Sequence, residues 1–112
     1  MNTFYWRSNC STCRDARKIL RANNFAFEAR DFLKEPLTRT ELEEIIDANN
    51  VSLYLNSRHP VFKANNWKEK PPTKSQAIAA ILQDNKVIRR PIIKIGKRYI
   101  VGFDKEVYAQ LK

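Results

Sequence analysis

The stretch WRSNCSTCRDARKIL, residues 6–20, decides how this chain is read. It opens on the last residue of a β-branched and aromatic run, Thr3–Trp6, which reads as a short buried strand. From Ser11 the pattern changes. Cys13, Ala16, Ile19 and Leu20 recur at helical spacing, while Arg14, Arg17, Lys18 and Arg21 face elsewhere. Cys10 and Cys13, the only cysteines, therefore sit where a strand turns into a helix. At a helix start, free N–H groups and the positive end of the dipole stabilise a thiolate. Arg14 and Arg7 are expected to add positive charge, and the thiolate is the nucleophilic form. Cys10 is thus the expected nucleophile. Cys13, one turn on, is the expected resolving cysteine that attacks a mixed disulfide formed at Cys10.

Three other readings of the pair stay open. Zinc wants about four ligands, and His59 is the only further soft ligand. A structural disulfide closing so short a loop constrains the unfolded chain little. Two buried cysteines can also pack as small hydrophobes with no chemistry. The redox pair is the reading carried forward.

Outward from that stretch, ANN at 22–24 ends the first helix, and alternation of Phe25, Phe27 and Ala29 predicts a strand to about Asp31. Strand, helix, strand suggests a right-handed βαβ unit. Thr38 with Glu41, and Thr73 with Gln76, have capping-box spacing. They introduce helices with stripes of Leu42, Ile45, Ile46 and of Ala77, Ile78, Ile81, Leu82. Val51–Leu55 reads as one further short turn, and Pro71-Pro72 breaks the chain. PIIKI and RYIVGF flank Gly96-Lys97, a type II′ hairpin signal. Asp104 is placed to cap a last helix with Val107, Tyr108 and Leu111 on its apolar face. The expected fold is α/β: a thioredoxin-like mixed four-stranded sheet in one domain, residues 1–112, with a helical insertion over about 36–86 between strands 2 and 3.

VIRRPIIKI is the second informative stretch. Thioredoxin-like folds carry a cis-proline where Pro91 opens a strand, so Arg90–Pro91 is expected to be cis, against the trans default of most X-Pro bonds. In LNSRHPVFK, Arg58 follows the short apolar turn. If the insertion folds over the dithiol, Arg58 and Arg90 converge on Cys10 to stabilise a thiolate or hold an oxyanion or carboxylate. A solvated surface charge is the alternative for Arg58. His59 precedes Pro60 in a loop and is assigned no chemistry.

Composition bounds the rest. The chain has 112 residues, 43% of them hydrophobic, which suits one modest core. No apolar run approaches the roughly 20 residues that span a bilayer. MNTFYWRSNC lacks a signal peptide's apolar core, so a soluble cytoplasmic protein, expected to be a monomer, is the reading. The net charge of +9 attracts anions such as nucleic acid, acidic proteins or phosphate-like ions, or simply solubilises; no direct nucleic-acid motif is present.

CSTCRDARKIL, NSRHPVFK and VIRRPIIKIGKRYIVGF, in this order, resemble the arsenate-reductase-like family, which includes the Spx-type transcriptional regulators. The resemblance covers nearly the whole chain. In the reductase branch it implies a cysteine that attacks arsenate, arginines that hold the oxyanion, and glutathione with glutaredoxin completing the cycle. Cys10, Arg58 and Arg90 match those positions. Such reductases generally lack the second cysteine, here Cys13, and place an arginine near the last hairpin, where this chain has Gly102. In the Spx branch the resemblance implies a dithiol redox switch whose partner is the RNA polymerase α subunit. The insertion of that branch contains a glycine, and residues 47–56 here have none. Two functions are therefore expected. One is a thiol–disulfide oxidoreductase, glutathione- or thioredoxin-linked, with no tightly bound cofactor. The other is a redox-sensing regulator that binds the polymerase α subunit.

Overall fold

The computed structural model describes residues 2–112. They form two compact units, residues 2–35 with Arg90–Lys112, and Pro36–Arg89.

The first unit is built on a four-stranded mixed sheet of order β2-β1-β3-β4. Strand β1 (Thr3–Trp6) runs parallel to β2 (Glu28–Asp31) and antiparallel to β3 (Ile92–Ile95), which pairs antiparallel with β4 (Arg98–Val101). With helices α1 (Ser11–Ala22) and α5 (Lys105–Ala109) this is a thioredoxin-like fold. The alternation of β1 sends Phe4 and Trp6 to one face. There they pack with Cys13, Ala16 and Leu20 of α1, Ile93 of β3 and Tyr108 of α5. Burying that apolar area is what holds α1 on the sheet.

Strand β2 is shorter than expected. Asn24 adopts φ 57°, which ends α1, and the Phe25 N–H donates to the Leu20 carbonyl at 3.0 Å. That connection carries the chain past Phe25 before pairing begins. Phe25 and Phe27 do pack on the core, but Ala29 is exposed, because β2 is an edge strand. At the hairpin, Gly96 has φ +61° and Lys97 a negative φ, as a II′ turn requires. The last helix buries Tyr108 fully and leaves Val107 at the surface. At five residues α5 is too short to present a whole apolar stripe.

The second unit packs α2 (Arg39–Ile45) on α4 (Lys74–Gln83). Both capping boxes form. The Thr38 and Thr73 hydroxyls accept from the Glu41 and Gln76 amides at 3.2 and 3.1 Å, and the Glu41 and Gln76 side chains accept from the Thr amides at 2.9 Å. Leu82, expected on the apolar stripe, is exposed, so the buried face of α4 is Ala77, Ile78 and Ile81. A 3-10 turn, Val51–Tyr54, and a short helix α3 (Pro60–Ala64) complete the unit with a further 3-10 turn, Asn85–Val87. His59 is not idle. Its Nδ1 accepts from the Val61 amide at 3.1 Å, capping α3, and its Nε2 lies 2.9 Å from the Asp84 carboxylate. That bond, then the Lys86 amide, holds the Asp84 carboxyl below its ordinary range.

Candidate functional site

The turn from β1 into α1 builds the site. Cys10 is the N-cap of α1, in extended conformation with φ −107° and ψ 120°. Its N–H donates to the Arg7 carbonyl at 3.1 Å, and its carbonyl accepts from the Arg14 amide at 3.0 Å. The first turn of α1 holds no acidic residue, so no side chain of that turn offsets the positive end of the helix. Ser8 is fastened from two sides. Its hydroxyl and amide donate to Asp31 at the end of β2, and its carbonyl accepts from the Arg14 guanidinium at 3.0 Å. Burial raises the Asp31 carboxyl, but the hydrogen bonds from Ser8 and the Leu33 amide outweigh it, and the net shift is down.

Both cysteines are free thiols. Cys10 is half-buried, and Cys13 is fully buried one turn along α1. Burial raises the Cys10 thiol. Hydrogen bonds from the Cys13 amide and thiol and from the Arg90 guanidinium more than reverse this, leaving its pKa below the ordinary thiol value. Cys13 is pushed up to about 12, first by burial and further by the neighbouring Cys10, despite a hydrogen bond from the Arg7 amide. The two groups are pulled apart in the sense that makes one an ionisable nucleophile and the other a protonated donor to it. Tyr108, wholly buried in the same cluster, has its hydroxyl raised by burial and then by Cys13.

The expected cations divide. Arg90 is at Cys10, directly before the cis Arg90–Pro91 peptide, with Pro91 itself buried. Arg14 is spent on the Ser8 carbonyl, and the buried Arg7 acts on the cysteines through its backbone rather than its charge. Sequence patterning assigns cationic residues near a thiol; it does not tell which guanidinium already has a carbonyl to bind. Arg58 lies in the second unit, exposed, in the turn before α3, where its N–H donates to the Asn56 side chain at 3.1 Å. Two contacts went unforeseen. Ser8 with Asp31 gives no sequence signal across that separation. Arg17 stacks over Trp6 at 4.7 Å from the ring centroid, although helical spacing read it only as facing away from the apolar stripe. Among the described residues, no three His, Cys, Asp or Glu side chains come together as a metal-binding group.

The sequence is similar to known proteins over almost its full length. It is 31% identical over 108 residues to a global transcriptional regulator Spx 2 of Lactococcus lactis, covering 95% of this chain and 82% of that protein. It is 28% identical to the regulatory protein MgsR of Bacillus subtilis, covering 91% and 82%. A crystal structure of an ArsC-family related protein from Bacteroides fragilis superposes with a TM-score of 0.81 at 27% identity, covering 99% of this chain and 98% of that one. The model of the ArsC family matches residues 5–111, and the chain belongs to that family.

Proposed function

We propose that the protein is a thiol–disulfide oxidoreductase. The carrying observation is the pair itself: a half-exposed, acidified Cys10 at a helix N-cap, hydrogen-bonded by a buried Cys13 one turn away. The Cys10 thiolate attacks one sulfur of a substrate disulfide. The Cys10–substrate bond forms, the substrate S–S bond breaks, and the departing sulfur leaves as thiolate with the electron pair. Cys13 then loses its proton and attacks Cys10. The Cys10–Cys13 disulfide forms and the second substrate thiol is released, so the dithiol has given up two electrons. Glutathione or thioredoxin would return them. Arg90 stabilises Cys10 as attacking and as leaving thiolate. Arg58 has the role of an anion-holding residue in this reading.

The test is turnover with glutathionylated or disulfide substrates. Cys10→Ser should abolish it, and Cys13→Ser should stop the reaction at a mixed disulfide visible by mass spectrometry. Undiminished turnover in Cys10→Ser ends the proposal.

A second reading is supported by the similarity to proteins named as transcriptional regulators. Here the same dithiol is a switch, and oxidation alters affinity for the RNA polymerase α subunit. Recovery of that subunit by the tagged chain in one redox state only would favour it; recovery in neither would exclude it.

A further inference from the structure

Arg14, Arg17, Lys18 and Arg21 are spaced i, i+3, i+4 and i+7 on α1, so they form one stripe along the helix. Arg14, Lys18 and Arg21 are exposed and Arg17 is half-buried against Trp6. Among the described residues none of the four is ion-paired. Arg17 is lowered by burial first and then by the charge of Arg21 one turn on. The Nε of Arg17 and the indole N–H of Trp6 are both buried without a hydrogen-bond partner among the described residues. The surrounding unit is strongly cationic as well. It holds 13 of the 21 basic and 6 of the 12 acidic residues, a net +7, which leaves +2 for the second unit. The stripe begins at Arg14, whose amide is bonded to the Cys10 carbonyl.

We propose that this stripe docks an acidic protein segment and delivers that segment's disulfide to Cys10. The inference rests on the oxidoreductase reading and names its substrate class. Length argues for a protein rather than a small thiol. The seven steps from Arg14 to Arg21, at 1.5 Å rise each, span about 10 Å, more than one small peptide's carboxylates fill when its sulfur is at Cys10. Carboxylates along a segment lying on α1 meet Lys18 and Arg21, which are not ion-paired among the described residues, flanked by Arg14, which also holds the Ser8 carbonyl, and Arg17, which also stacks on Trp6. Such complementarity mainly raises the rate of productive encounter.

The test uses the full chain and three synthetic peptides. Each carries one cysteine as its mixed disulfide with thionitrobenzoate, followed by a helix-forming segment bearing glutamates, glutamines or lysines at matched positions. Cys10 attacks the peptide sulfur and thionitrobenzoate leaves as the coloured thiolate, so every rate is read directly. At low salt the glutamate peptide should react at least about tenfold faster than the glutamine peptide, and the lysine peptide slowest. Because screening shortens to about 3 Å at 1 M salt, the advantage should collapse there. Lys18→Gln with Arg21→Gln should shrink the glutamate-to-glutamine ratio to about twofold or less. Reading a ratio cancels any change in Cys10 itself. Equal low-salt rates for all three peptides, still lost in Cys10→Ser, overturn the stripe proposal and leave the oxidoreductase reading standing. Rates that Cys10→Ser does not lower overturn both. Duplex DNA that binds through Lys18 and Arg21, with no gain for the glutamate peptide, assigns the stripe to nucleic acid and also overturns it.

Discussion

Cys10 and Cys13 have the same side chain and opposite acidities because one has donors and the other has walls. Cys10 receives hydrogen bonds from Cys13 and Arg90, and Cys13 has a fully buried sulfur. The pH profile of alkylation follows. The Cys10 rate should reach half its plateau below the pH usual for a free thiol, and Cys13 should stay unreactive through the neutral range. Arg90→Gln should move the Cys10 midpoint upward. A charge-assisted hydrogen bond at a half-exposed site is worth about 1 kcal/mol, so iodoacetamide should react about fivefold more slowly at pH 7. An unmoved midpoint would remove Arg90 from the site. Tyr108 offers a contrasting case. Its hydroxyl is buried and finds no hydrogen-bond partner among the described residues, so it costs desolvation without return. Tyr108→Phe should leave stability unchanged or raise it by about 1 kcal/mol in urea titration. A loss of stability would mean the hydroxyl is bonded in solution.

At the scale of elements, caps decide where helices begin. Thr38 and Thr73 each satisfy an otherwise free amide and are reciprocally bonded by Glu41 and Gln76. Thr38→Ala and Thr73→Ala should each cost about 1 kcal/mol. Because α2 packs on α4 and Lys74 binds the Glu43 carbonyl, any departure of the double variant from the sum in denaturant melts measures the coupling between the two helices. These boundaries were readable because a capping box is a local pattern of residue types. The start of β2 was not: alternation of Phe25 and Phe27 marks burial, but pairing depends on a neighbour that sequence spacing does not reveal. His59 is similar. A histidine before proline reads as loop until the chain brings Asp84 to within 2.9 Å of it.

For the whole molecule, burial is graded across the sheet. Phe4, Ile92 and Ile93 in the two central strands are fully buried, while β2 and β4 are edges with partly or wholly exposed side chains. Amide exchange should be slowest in β1 and β3 and faster in the unpaired amides of β2 and β4. Equal protection across all four strands would contradict this order. The element order and the dithiol were accessible from residue patterns, since strand, helix and cap signals are all short-range. What stayed hidden was the choice among cations. Nearness in sequence put Arg7 and Arg14 beside Cys10, and the expected fold added Arg58 and Arg90; only the folded backbone separates Arg14, held by the Ser8 carbonyl, from Arg90, held to the Cys10 sulfur.

The β3–β4 connection has a consequence for chemical synthesis. An L-alanine methyl group built on Gly96 meets no heavy atom of the described residues within 4 Å beyond its chain neighbours, so what disfavours L-alanine there is handedness and not room. D-alanine, at ease where L-residues are strained, should therefore stiffen the turn and raise the melting temperature, whereas L-alanine should lower it.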